Sequence, residues 1–135
     1  MTVEKIDHIG IAVESIENVL PYYRDALGLD YGGQEEVLEQ KVRVVFLSIG
    51  ESRIELLEPT SDDSHVAKFL SKRGSGIHHI AVRVDNIVDA LQAHEKKGAL
   101  LIDREPRIGA HNMRIAFVHP RSAGGVLIEL CQKPE

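Results

Sequence analysis

Gly76-Ile77-His78-His79-Ile80-Ala81-Val82-Arg83-Val84 is the stretch whose reading decides the fold. It reads as a strand, with Ile80, Val82 and Val84 on one face and His79, Ala81 and Arg83 on the other, because successive side chains alternate across a pleat. The run has an echo near the start of the chain, Asp7-His8-Ile9-Gly10-Ile11-Ala12-Val13. There Ile9, Ile11 and Val13 share one face, and His8, Gly10 and Ala12 the other. In both runs a histidine is followed on its own face by a small residue two positions on. Small neighbours leave room above that face while the opposite one packs. Two such strands point to a duplicated unit whose histidines meet in a shared cavity.

The repeat extends outward from these strands. A shift of 71 residues takes His8 to His79, Ile16 to Ile87, Leu20 to Leu91, Arg43 to Arg114 and Phe46 to Phe117. With a three-residue insertion in the second hairpin, Ile54-Glu55-Leu56 falls on Ile128-Glu129-Leu130. Self-similarity at a fixed offset marks a repeated supersecondary unit. Each half reads βαβββ, so the expected fold class is α+β, two such modules forming an incomplete mixed-sheet barrel. The 135 residues fit one domain, with modules at about 1–60 and 75–135 and a helical connector at 61–74.

Within the first half, a strand from about Lys5 to Val13 leads into a helix capped by Ser15. That helix carries Ile16, Val19, Leu20, Tyr23 and Leu27 at helical spacing and ends at Gly28. Pro21 is awkward inside it, since proline lacks a backbone donor. Leu29 to Leu38 reads as a short strand plus a loop, with Glu35-Glu36 solvated. Lys41 to Ile49 alternates as a strand, Gly50-Glu51-Ser52 makes a hairpin turn, and Arg53 to Glu58 is the next strand. Ser61-Asp62-Asp63-Ser64 reads as the cap and acidic first turn of the connector helix, and Gly74-Ser75-Gly76 as the turn between halves. In the second half a helix is expected from about Asn86 to Lys97, a short strand from Ala99 to Asp103 and a loop from Arg104 to Asn112. Strands from Met113 to Val118 and Val126 to Cys131 complete it.

Composition narrows the partners. Hydrophobic residues make up 43% and charged residues 27%, with a formal net charge of −5. That balance is ordinary for a soluble globular protein and argues against nucleic acid or an anionic membrane surface. No apolar run approaches the roughly 20 residues of a membrane span, and the N-terminus lacks the build of a signal peptide. Cys131 is the single cysteine, expected as a buried, reduced thiol in the cytoplasm.

His8, Glu55, His79 and Glu129 would all come from strands facing the cleft. Two imidazoles with one or two carboxylates suit a divalent first-row metal that keeps positions open for water or substrate. Buried carboxylates need a compensating cation, and no Lys or Arg is obviously placed to supply one. The plainer reading of a strand histidine is a hydrogen-bonded core or surface residue. It applies to His78, on the apolar parity. His65, His94 and His119 read as helix-surface or turn residues, and His111 as a loop residue that could reach the cleft. Tyr22 and Tyr23 read as packing of the first helix.

With these residues in view, the chain resembles the vicinal oxygen chelate (glyoxalase/bleomycin-resistance) superfamily. Within it the resemblance to the methylmalonyl-CoA epimerases covers essentially the whole length. It rests on Ile6-Asp7-His8-Ile9-Gly10-Ile11-Ala12-Val13, Tyr22-Tyr23-Arg24-Asp25-Ala26-Leu27-Gly28-Leu29, Ile54-Glu55-Leu56-Leu57-Glu58-Pro59 and Gly76-Ile77-His78-His79-Ile80-Ala81. It rests too on His119-Pro120 followed by Gly124-Gly125-Val126-Leu127-Ile128-Glu129-Leu130. The resemblance implies an enzyme interconverting the two C2 epimers of methylmalonyl-CoA through an enolate. It implies His8, His79 and Glu129 as metal ligands, with Glu55 at a fourth position where some members have glutamine. Cobalt is the metal expected, with manganese, nickel or zinc as alternatives, and the family is usually dimeric.

Epimerisation needs proton exchange on both faces of a planar intermediate. Glu129 is the expected acid/base for one face. The glutamate that some members use for the other falls here on Val44, which leaves Glu39, Gln40, a metal-bound water or His111 to substitute. The loop Arg104 to Arg114 is the expected contact for the coenzyme A tail. Other readings of the same ligands are a glyoxalase I-type isomerase of a glutathione hemithioacetal and a ring-cleaving dioxygenase. A metal-free binding protein of the bleomycin-resistance kind shares the fold and would normally lack matched ligands.

Overall fold

A computed structural model describes residues 1–134, which divide into two compact units. One comprises His8–His78; the other joins Met1–Asp7 to the chain from His79 onward. Each is built around a sheet with a helix on one face, as the two βαβββ modules require. Both long N-terminal strands of the modules cross the division, β1 (Val3–Ala12) between Asp7 and His8 and β5 (Gly76–Val84) between His78 and His79.

In the His8–His78 unit the sheet runs β2-β3-β4-β1, with β2 at Asp30–Val37, β3 at Val42–Ile49 and β4 at Ser52–Pro59. The β2–β3–β4 meander is antiparallel, and β4 closes parallel against β1 with Gly10 opposite Glu55. The helix α1 (Ile16–Pro21) is capped by Ser15, whose hydroxyl accepts the Asn18 N–H at 3.2 Å. Pro21 does not break the helix; it ends the α-helical turns. From Tyr22 to Ala26 the coil widens to π geometry, with the Leu27 N–H donating to the Tyr22 carbonyl at 2.7 Å. A proline has no N–H to keep the tighter ladder going. The core comprises Val13, Ile16, Val45, Leu47 and Leu56, with Ile11, Val19, Leu20 and Tyr23 packed against it. Each large aliphatic side chain buried in this way contributes about 1.5–3 kcal/mol.

The strand expected to be short between Leu29 and Leu38 is complete. β2 pairs with β3 on both sides of a register shift between Tyr31 and Gln34. Gly33 takes φ +96° there, and Gly32 lies so close to Phe46 that an added Cβ would meet its carbonyl oxygen at 3.3 Å. The bulge interrupts the period of two, which is why the stretch read as loop. Glu35-Glu36 accordingly lies in a strand, with Glu35 half-buried opposite Val44. The connector helix α2 (His65–Arg73) starts three residues later than expected. Ser64 caps it by accepting the Ala67 N–H at 3.0 Å, and no acidic residue lies in its first turn. Asp63 is spent instead on Lys41 Nζ at 2.5 Å, an ion pair that holds its carboxyl down to about 2.

In the other unit the first residues of β1 run beside β5, with the Asp85 N–H donating to the Thr2 carbonyl at 3.1 Å. The order continues β5-β8-β7-β6, with β6 at Arg107–Ile108, β7 at Arg114–Val118 and β8 at Ile128–Gln132. The helix α3 (Ile87–Lys96) is capped by Asn86 and packs Ile87, Ala90 and Leu91 against Val84, Ala116, Val118 and Leu130. Ala99 to Asp103 forms no strand beyond a single bridge from Leu101 to Val118. Asp103 instead gives its carboxylate to the Phe117 N–H at 2.9 Å, so a side chain replaces the ladder bond. The loop from Arg104 to Asn112 contains the short β6. Cys131 is buried, its thiol donating to the Val82 carbonyl at 3.4 Å. No helix among the described residues is long and apolar enough to cross a membrane.

Candidate metal centre

His8, Glu55, His79 and Glu129 are all buried, each about 5% exposed (6%, 4%, 5% and 5%). Polar side chains on strands are seldom buried unless something satisfies them. In both units the repeat produces the same local setting for the glutamate. Glu55 has Gly10 as its parallel partner and Phe46 as its antiparallel partner. Glu129 has Ala81 and Phe117 in the same two places. The small residue two positions after each histidine therefore stands beside the carboxylate and leaves it space.

In the unit formed around β5, His79 Nε2 lies 3.5 Å from Glu129 Oε1. The His79 ring meets Phe117 edge-on, with centroids 5.7 Å apart and planes at 88°. Arg107 covers the Phe117 ring at 5.9 Å and pairs with Asp103 at 3.1 Å. Phe117 thus contacts both the His79 ring and the Arg107 guanidinium. Arg83, on the same strand face as His79, places Nη2 2.6 Å and Nε 3.0 Å from Oδ1 of the fully buried Asp7.

In the His8–His78 unit, His8 Nδ1 lies 3.2 Å from Glu55 Oε2. Arg53 reaches the same oxygen, its Nη2 donating at 2.8 Å, while its guanidinium lies over the Phe46 ring at 5.9 Å. Arg53 is the cation that the sequence reading did not find. The signal was present: Arg53 precedes Glu55 by two, so strand alternation puts both side chains on one face. His78 has the structural role expected of it. Half-buried, it packs edge-on against Phe69 of α2 at 5.1 Å. Burial, with His65 nearby, lowers its pKa to about 4.

The other histidines lie on the surface or in turns. His94 Nδ1 is 2.7 Å from the Ala90 carbonyl, and His119 accepts the Arg121 N–H at 3.0 Å. His111 is exposed, at φ 57°. Val44 is 2% exposed and apolar, so it offers no proton carrier. Glu39 lies exposed in the turn between β2 and β3.

The chemistry of the donor set fits a divalent first-row ion: neutral imidazole nitrogens and carboxylate oxygens, already desolvated. Two donors about 2.1 Å from one ion lie about 3.0–3.4 Å apart at ordinary coordination angles. The 3.5 Å separation of His79 and Glu129 is close to that spacing.

Residues 7–117 match the family model described as Glyoxalase/Bleomycin resistance protein/Dioxygenase superfamily. The chain is 48% identical over 128 residues, 95% of its length and 91% of the relative's, to an uncharacterized protein of Bacillus subtilis. It is 39% identical over 129 residues, 95% of its length and 73% of the relative's, to the mitochondrial methylmalonyl-CoA epimerase of Homo sapiens. A solved methylmalonyl-CoA epimerase in complex with methylmalonyl-CoA superposes with a TM-score of 0.94 at 38% identity, covering 98% of this chain and 96% of that one. The chain therefore belongs to the glyoxalase/bleomycin-resistance/dioxygenase superfamily, in the group that contains the methylmalonyl-CoA epimerases.

Proposed function

We propose that the protein is a metal-dependent epimerase acting at C2 of methylmalonyl-CoA. The observation that carries this reading is the buried histidine–glutamate pair on β5 and β8, His79 Nε2 to Glu129 Oε1 at 3.5 Å, in a chain similar over its whole length to epimerases of that substrate. A carboxylate desolvated beside an imidazole is a poor surface residue and a good ligand or base. The ligand set proposed is His8, His79 and Glu129, with Glu55 at the fourth position. It draws on both modules, which we take to work as one vicinal oxygen chelate domain. Cobalt is the ion proposed, with manganese, nickel or zinc able to meet the same nitrogen and oxygen donors.

The proton removed lies between a thioester carbonyl and a carboxylate, and its loss leaves an enolate with charge on the thioester oxygen. A bound divalent ion supplies Lewis-acid stabilisation of that developing charge. Glu129 takes up and returns the proton on one face of C2; its burial against Phe117 and Ala81 excludes competing water. Val44, buried and apolar, has no group to offer the second face. A homodimer and a cytoplasmic location complete the proposal, supported by the resemblance and by the single buried thiol of Cys131.

Incubation of the metal-loaded protein with methylmalonyl-CoA in heavy water tests this. Deuterium is expected to wash in at C2, and chelation is expected to stop it. No exchange by metal-loaded protein overturns the assignment; turnover of methylglyoxal with glutathione in its place would support the glyoxalase I-type reading.

A further inference from the structure

Glu55 Oε2 lies between two nitrogens, His8 Nδ1 at 3.2 Å and Arg53 Nη2, which donates to it at 2.8 Å. The arrangement follows from the strand register. His8 stands opposite Arg53 and Gly10 opposite Glu55 across the parallel β1–β4 pairing. Arg53 and Glu55 lie on one face of β4, and Phe46, opposite Glu55 on β3, supplies the ring under the guanidinium. A buried carboxylate with one oxygen fixed this way has one negative charge cancelled by one positive charge. Its second oxygen, Oε1, takes no part in either contact. In the other module the residue two before Glu129 is Leu127, and the guanidinium over the matching phenylalanine comes from Arg107.

We propose that Arg53 is a positioning residue of the candidate metal centre, and that Arg53 and Glu55 form a single charge-neutral arm of it. Arg53 holds Glu55 Oε2 beside His8 Nδ1, so that the carboxylate and the imidazole are fixed together. The inference rests on the metal reading above, and it makes one counter-intuitive prediction. Removing the glutamate charge alone is worse than removing both charges, because Glu55→Gln leaves the Arg53 cation beside an incoming cation.

The test is a double-mutant cycle on the full chain with two readouts, cobalt(II) affinity by calorimetric titration and melting temperature of the metal-free protein. The variants are E55Q, R53M and R53M/E55Q. Glu55→Gln is expected to weaken cobalt binding on the order of 30-fold, and adding Arg53→Met is expected to restore most of that loss. In the metal-free protein Arg53→Met, which leaves a buried carboxylate without its arginine, should lower the melting temperature on the order of 10 °C. The double variant should recover most of that drop. A double variant no better than either single one in both readouts overturns the proposal. Failure of the wild-type protein to bind cobalt overturns the metal reading instead, and the melting cycle then decides alone whether Arg53 and Glu55 act as one unit.

Discussion

The two histidine–glutamate pairs come from matched positions of a repeat, and their separations differ by only a few tenths of an ångström, 3.2 Å for His8–Glu55 and 3.5 Å for His79–Glu129. Their arginines are deployed differently. Around β1, Arg53 is committed to Glu55 itself, at 2.8 Å. Around β5, Arg83 is committed to Asp7, the residue before a candidate ligand rather than a ligand, at 2.6 Å. A small residue and a phenylalanine thus flank each glutamate, an arginine lies over each phenylalanine, and Arg53 also donates to its glutamate. The lesson is that a repeat conserves backbone settings more readily than electrostatics. Register is held by the whole sheet, whereas one substitution two residues away changes the charge beside a carboxylate.

The largest test of this contrast is catalytic. Glu129→Gln should lower kcat for C2 epimerisation by about 10²–10⁴-fold, the range for loss of a positioned general acid/base. Glu55→Gln assayed at saturating metal should lower kcat far less. Equal losses in kcat would mean that the two glutamates do the same work and would break the comparison.

Next in size is Arg83→Met. It removes the guanidinium paired with the fully buried Asp7 carboxylate and should cost about 3–5 kcal/mol of stability, read by calorimetric or denaturant unfolding. A loss below about 1 kcal/mol would show that water reaches Asp7 and that its pair with Arg83 counts for little.

The smallest effect concerns His78 and His79, neighbours on one strand. His78 has a folded pKa of about 4 against an ordinary 6.5. The unfolded chain therefore binds the extra proton first, and stability should fall as pH drops from 6.5 towards 4, by up to about 3 kcal/mol from this residue. Above pH 6.5 the contribution is constant. Replacing His78 with Phe should flatten that part of the stability–pH curve, and an unchanged slope would assign it elsewhere.

What the sequence made legible was whatever repeats or alternates. The strands carrying His8 and His79 show a clean period of two, and matching Glu55 to Glu129 required only one insertion. The features that escaped reading are those where a side chain or an extra residue does the work of the backbone ladder. At Gly32-Gly33 a bulge interrupts the alternation of β2. From Ala99 to Asp103 an apolar run looked like a strand, yet the Asp103 carboxylate, not a neighbouring backbone, meets the Phe117 N–H. Ser61 and Ser64 are equally good caps on chemical grounds, and only the path of the chain selects Ser64. Arg53 supplies the compensating cation from the same strand face two residues before Glu55, a position that alternation allows but that no apolar pattern marks.

The placement of Cys131 has a practical consequence. It is the chain's one sulfhydryl, 1% exposed, and it belongs to the β5-containing unit, while His8–His78 contains none. Its alkylation rate in native buffer is a chemical clock for openings that uncover β8. Opening confined to the other unit is silent on that clock. The wild-type protein therefore carries its own label for the opening rate of the unit that holds β8, with no engineered probe.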